Sequence, residues 1–213
     1  MIEESGTSEQ LDRLAIAEII LRERTARDSA RWEEMASYYH PESEIEVSWF
    51  RGSGAEFVER TKLQYEATRR RSDEMDRMNF HEMGAAVVTV SNDRAIAETA
   101  CTLHSFFPLD GVACKNTGFV RLMWRAQSLD GRWLIAGLRC LYIRDLITPC
   151  NPSQIPKIDQ AELDRYRPSY RFTSYHLSRL GLDPKDDLPG ADRPETVLAL
   201  RRAERAWLEP PTS

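Results

Sequence analysis

The sequence predicts an α+β fold: helices gathered early in the chain pack on one face of a curved antiparallel sheet, and a helical extension follows. Three observations predict it. Apolar residues recur at helical spacing over residues 8–39 and 55–69. Alternating strand patterns joined by short turn signals fill residues 78–144. After Asp145, Pro149, Pro152 and Pro156 follow in quick succession and change the character of the chain. At 213 residues and 41% apolar content, this is one domain with an appendage.

Residues 1–7 read as a disordered N-terminus. Helix one is expected from Ser8, a plausible N-cap, to Arg27, with Leu11, Leu14, Ala15 and Ile19 along one side and Ile16, Ile20 and Leu21 widening the apolar stripe. Asp28 and Ser29 compete for backbone hydrogen bonds and end it. A second helix over Ala30–Tyr39 is stopped by His40-Pro41. Strand one, Glu44–Phe50, alternates Ile45, Val47 and Trp49 with polar residues, and Gly52 and Gly54 turn the chain into a helix over Ala55–Arg69. A charged loop over 69–77 leads into the sheet. Met78–Met83 and Ala85–Ser91 are strands separated by a break or bulge at Gly84. Asn92-Asp93, Asp110-Gly111 and Asp130-Gly131 are hairpin signals that separate strands Arg94–Phe107, Ala113–Gln127 and Arg132–Arg144. The extension carries a capping box at Asp159…Glu162, a helical stretch Tyr170–Leu180 stopped by Gly181, and a second box at Asp192…Glu195 that opens a last helix to about Leu208. The expected organisation is a domain over 8–147 and an extension over 148–213 that packs on it or on a second subunit.

Composition removes several function classes. The net charge of −5 provides no basic field for nucleic acid or an anionic membrane. No run of about 18 apolar residues predicts a membrane span, and the acidic N-terminus lacks the order of a signal peptide. Cys101, Cys114, Cys140 and Cys150 form no C-x-x-C pair and read as reduced thiols in a cytoplasm. There is no Gly-rich phosphate loop and no H-x-x-x-H pair, so neither cofactor nor metal is expected.

The segment Asn79-Phe80-His81-Glu82-Met83 opens the strand run. A histidine there faces a cavity or is a hydrogen-bonded core residue, and the pattern alone leaves both open. Trp49 and Phe50 end strand one, and alternation turns one of them to the concave side of the sheet as a pocket wall or as plain core. Asn116, early in its strand, can offer an amide to a substrate oxygen. Tyr142 and Arg144 share a face by alternation and can orient an anionic or phenolic substrate.

The element order helix–helix–strand–helix–meander, the segment Asp28-Ser-Ala-Arg-Trp-Glu-Glu-Met, His81 at the opening of the meander and Asp130-Gly-Arg-Trp-Leu-Ile-Ala-Gly-Leu entering the last strand resemble the nuclear transport factor 2-like superfamily in its SnoaL-like branch. The resemblance covers residues 8–147. It implies a cone-shaped α+β domain whose curved antiparallel sheet wraps the N-terminal helices around a deep pocket. It also implies that Asp28 and His81 occupy the positions of an Asp–His pair that several dehydratases of the family use for proton abstraction. His104 falls where the family places a further polar cavity residue, suited to holding a leaving hydroxyl. Arg27 departs from scytalone dehydratase, where a Tyr precedes the Asp. The function implied is a cofactor-free lyase or isomerase, dehydratase- or cyclase-like, acting on a hydrophobic carbonyl-bearing small molecule in a homodimer or higher homo-oligomer. The alternative is a non-catalytic small-molecule-binding or dimeric interaction scaffold of the same fold.

Overall fold

A computed structural model of the chain describes residues 2–70 and 78–209, with side chains from Thr7 onward. Most of the charged loop expected over 69–77, and the side chains of most of the expected disordered N-terminus, lie outside the described residues. Six helices and six strands follow in the order α1 (Ile2–Asp28), α2 (Trp32–Ala36), β1 (Tyr39–Val47), β2 (Phe50–Ser53), α3 (Gly54–Arg69), β3 (Asn79–Ser91), β4 (Arg94–Leu109), β5 (Val112–Leu129), β6 (Arg132–Pro149), α4 (Gln160–Leu163), α5 (Arg171–Arg179) and α6 (Pro194–Leu208) among the described residues. None of these helices is long and apolar enough to cross a membrane.

The strands form one curved, unclosed sheet in the order β2-β1-β6-β5-β4-β3. Its long hairpins are antiparallel as expected, but β1 runs parallel to β6, so the sheet is mixed. The early start of β1 follows from a short α2. The chain leaves it at Ala36, and Tyr39, His40 and Pro41, expected to close a helix, already run along β6. A register shift between Tyr39 and Glu44 accommodates Pro41, which has no N–H for a ladder. Strand one is thus displaced towards the N-terminus. Trp49 lies in the tight turn between β1 and β2, and Phe50 begins β2.

Helix α1 begins at Ile2 and ends at a turn that the sequence pattern did not reveal. Arg31 N–H donates to the Ala26 carbonyl at 2.8 Å and Ala30 N–H to that of Arg27 at 3.2 Å, with Ala30 in the left-handed region at φ 57°. This closure leaves the Asp28 side chain free for tertiary contact. The buried face of α1 is also rotated from the expected stripe. Leu11 and Leu14 are exposed, whereas Ile16, Ile20, Glu23, Arg24 and Ala26 face the core. At α3 the Ser53–Glu56 capping box is formed: Glu56 N–H donates to Ser53 Oγ and Ser53 N–H donates to Glu56 Oε2.

The main core lies between the concave face of the sheet and α1 and α3. Ile16, Ile20, Phe57, Trp124, Leu138 and Cys140 are among its buried members. The extension covers the rest. On the convex face, Leu200 of α6 packs on Met123 and Leu141, while Arg125 and Arg139 both bond the buried Glu204, at 2.6 and 2.7 Å. At the far end of β4 and β5, Leu163 and Tyr175 pack on Phe107, Leu109 and Cys114. Beyond the end of β1, the open edge of β6 at Tyr142 is taken by residues 189–191: Tyr142 N–H donates to the Pro189 carbonyl and Ala191 N–H to that of Tyr142. The capping box expected at Asp192…Glu195 does not form, because Asp192 accepts from Arg167 and Ser169 instead.

Candidate active site

β3 is the last strand of the sheet, so its outer edge has no neighbouring strand among the described residues to bond its backbone. Asp28, at the C-terminal end of α1, occupies that edge. Its Oδ2 accepts from the His81 backbone N–H at 2.7 Å, and its Oδ1 lies 2.8 Å from His81 Nδ1. A carboxylate only accepts, so the imidazole carries its proton on Nδ1 and Nε2 presents a lone pair. The predicted Asp–His pair is therefore formed and held at two points. It is not sealed: the His81, Asp28 and Arg27 side chains retain 9%, 17% and 14% of their accessible surface.

Two arginines from the preceding turns of α1 flank the pair. Arg27 Nη1 donates to Asp28 Oδ1 at 3.1 Å and lies 3.3 Å from His81 Nδ1. Both of those nitrogens bear hydrogen, so the second contact is electrostatic rather than a hydrogen bond. Arg24 Nη1 faces His81 Nε2 at 3.5 Å, the far limit of a hydrogen bond. Arg24 is fixed from behind. Its Nε and Nη2 donate to Glu23 at 2.5 and 2.6 Å, Glu23 also accepts from the Tyr39 hydroxyl at 2.7 Å, and the guanidinium lies over the Trp124 ring at 5.4 Å.

These surroundings set the charges. Burial, aided by the cations of Arg27 and Arg24, outweighs the help of Asp28 and lowers His81 from 6.5 to about 3, so it is a neutral base. Burial alone raises Asp28, but the hydrogen bonds from the His81 ring and backbone N–H, with the charge of Arg27, bring it below the ordinary carboxylate range. Burial opposes the charge of Arg24, and the charge and hydrogen bonds of Glu23 reverse the effect, leaving it firmly protonated. Burial and the neighbouring Arg24 lower Arg27.

The other predicted site residues are elsewhere. His81 pairs with Leu103 across the β3–β4 ladder, whereas His104 pairs with Phe80. Successive residues face opposite sides, so His104 lies on the convex face. There it stacks on Phe80 at 4.7 Å and meets Glu82 at 3.2 Å. Asn116 is buried beneath α5, its amide donating to Thr173 Oγ1 at 3.1 Å. Tyr142 is core: its hydroxyl accepts from Ser48 N–H at 2.8 Å and its ring meets Tyr170 at 4.7 Å. Arg144 does not share its face, because a bulge puts Arg144 opposite Phe119 and Tyr142 opposite Val120, and Arg144 is exposed. Trp49 and Phe50 pack on Phe57 at 5.5 and 5.3 Å, and their other surfaces line a charged cleft with Arg51, Glu56 and Lys185 that no member of the Asp28–His81 group lines.

Sequence reasoning missed Glu23, Arg24 and Tyr39. The signal was present: continuing the Ile16, Ile20 spacing by three or four residues lands on Glu23–Arg24 and then Arg27–Asp28, charges on the buried face of a helix.

Known proteins share both the sequence pattern and the fold. The SnoaL-like domain profile matches residues 8–139. Pea pathogenicity protein 2 of Fusarium vanettenii is 24% identical over 211 residues, covering 93% of this chain and 86% of its own length. A PEP2-like protein of the same fungus is 27% identical, covering 93% of this chain and 88% of its own. Such coverage extends well past residue 139, so the extension is shared. Among solved structures, hexachlorocyclohexane dehydrochlorinase LinA-type3 of Novosphingobium barchaimii matches with a TM-score of 0.53 at 15% identity, over 72% of this chain and 99% of its own. A putative scytalone dehydratase of Novosphingobium aromaticivorans matches with a TM-score of 0.50 at 15% identity, over 74% and 99%. At these identities the likeness is one of fold.

Proposed function

The chain belongs to the SnoaL-like family, and we propose that it is a cofactor-free lyase in which His81, oriented by Asp28, removes a proton from carbon next to a substrate carbonyl. The observation that carries this reading is the two-point hold of Asp28 on His81, through Nδ1 and the backbone N–H. It fixes the tautomer in which Nε2 is the base, and the carboxylate stabilises the imidazolium once the proton arrives.

In a dehydration, Nε2 takes the α-proton and the C–H electron pair passes into an enolate. The enolate collapses to form the C=C bond and expels a β-hydroxyl, and the imidazolium returns its proton to that oxygen so that water leaves. Two fold neighbours, a dehydrochlorinase and a putative scytalone dehydratase, bear the names of enzymes that carry out eliminations. Neither His104 nor Asn116 assists in this scheme, since one is on the opposite face and the other is bonded to α5.

One observation favours the second reading, a non-catalytic binding module: Arg24 Nη1 stands over the basic nitrogen. A single assay separates the two. A panel of β-hydroxy ketones and aromatic ketones is incubated with the protein in D2O, and α-deuterium incorporation and water loss are followed by NMR. The lyase reading expects incorporation with at least one compound and none with His81→Ala. Equal incorporation by both proteins contradicts it.

A further inference from the structure

We infer that Arg27, with Arg24 beside it, forms a subsite for an oxyanion, and that the natural ligand is an organic anion bearing a carboxylate or an equally acidic oxygen. The inference rests on the Asp28–His81 group being the ligand site and adds the chemistry of the ligand to it.

A guanidinium has five N–H groups. In Arg27, Nη1 is committed to Asp28, whereas Nε is buried and has no hydrogen-bond partner among the described residues. An unmet charged donor inside a protein is unfavourable, and such groups are kept where a ligand completes them. Arg24 points the same way. Two arms of its fork are held by Glu23, which leaves Nη1 to face the site.

The placement of charge agrees. The charges of Arg24, Arg27, Glu23 and Asp28 sum to zero, but Glu23 lies behind Arg24, bonded by it and by Tyr39, so that both guanidiniums and only Asp28 face the imidazole. Burial and Arg24 both oppose the charge of Arg27, and an incoming anion relieves the second of these. Guanidinium donors beside the base also suit the chemistry, because the enolate formed by proton removal develops its charge on oxygen, where fixed donors stabilise it.

The test uses two probes of nearly one shape, 2-naphthoate and 2-naphthamide, titrated by calorimetry. In the wild type the acid binds at least tenfold more tightly than the amide. In Arg27→Gln the preference falls below about twofold, while the amide binds as before. As a second readout, free of any folding defect in the variant, the Arg27 Nε–H resonance of the wild type moves downfield on addition of 2-naphthoate. The inference is overturned if the wild type binds acid and amide equally, if it binds neither up to millimolar concentration, or if the preference survives in Arg27→Gln. His81→Gln separates this from the catalytic reading: an acid preference retained in that variant, with no deuterium incorporation by the wild type, keeps the subsite and removes the lyase.

Discussion

Arg27 and Arg167 are both largely enclosed guanidiniums, and they are held in opposite ways. Arg167 gives Nε and Nη2 to Asp192 at 3.1 and 2.9 Å, and Nη1 to the Tyr170 hydroxyl and the Asp186 and Leu188 carbonyls. The fit is tight enough that a Cβ at Gly190 would come within 2.9 Å of Nη2. Every nitrogen has a partner, and the result is a clasp that pins residues 186–192 to the start of α5. Among the described residues Arg27 has one firm bond, to Asp28, and a buried nitrogen with none. Full satisfaction marks a residue that holds the fold. Partial satisfaction beside a held imidazole marks one that awaits a partner.

Four substitutions or titrations sharpen or break that contrast. The largest effect belongs to the site. Asp28→Asn can offer an amide N–H to Nδ1 and so favours the wrong tautomer, and once a turned-over compound is in hand it lowers kcat by about 10³–10⁴-fold. A loss below tenfold removes Asp28 from the mechanism. Next is the clasp. Arg167→Met strands Asp192 and two carbonyls and costs about 3 kcal/mol in urea denaturation, whereas Arg27→Met changes stability by no more than about 1 kcal/mol in either direction. Equal losses would erase the distinction between the two arginines.

The third test is acid. The unfolded chain protonates His81 near 6.5 and the folded chain only near 3. The unfolded state therefore binds more protons between these values, and this contribution to stability is complete above pH 6.5 and is lost as pH falls towards 3. Asp28, also lowered on folding, acts in the same direction, with its contribution lost at lower pH. Denaturation midpoints of His81→Gln decline less steeply than those of the wild type across this window, and parallel profiles contradict the assignment. The smallest effect is local: Ala30→Gly relieves a left-handed alanine at the end of α1 and raises stability by about 1 kcal/mol, read from the thermal midpoint.

Much of the scaffold was legible in the sequence because periodicity and turn chemistry are local. Asp110-Gly111 and Asp130-Gly131 adopt the left-handed turns their types require, and Gly84 falls within the Met83/Ala86 register shift. What failed was facing. A bulge separated Tyr142 from Arg144, and a one-residue offset in strand pairing put His104 on the far side from His81. Neither leaves a mark in composition. The pair itself was legible only as two positions, Asp28 and His81. Its arginine flank was marked only by the Ile16–Ile20 spacing running on to Glu23–Arg24, and the spacing does not say that Glu23 and Arg24 satisfy each other in the core.

In the proposed site Asp28 holds His81 as a neutral base with its proton on Nδ1. A titration of ¹⁵N-histidine-labelled protein, observed through two-bond correlations of the imidazole nitrogens, tests it most directly. The expected result is a His81 ring whose Nδ1 is protonated and whose Nε2 keeps the shift of an unprotonated nitrogen from pH 8 to below pH 5. A His81 ring that carries its proton on Nε2, or that becomes doubly protonated near pH 6.5, contradicts it.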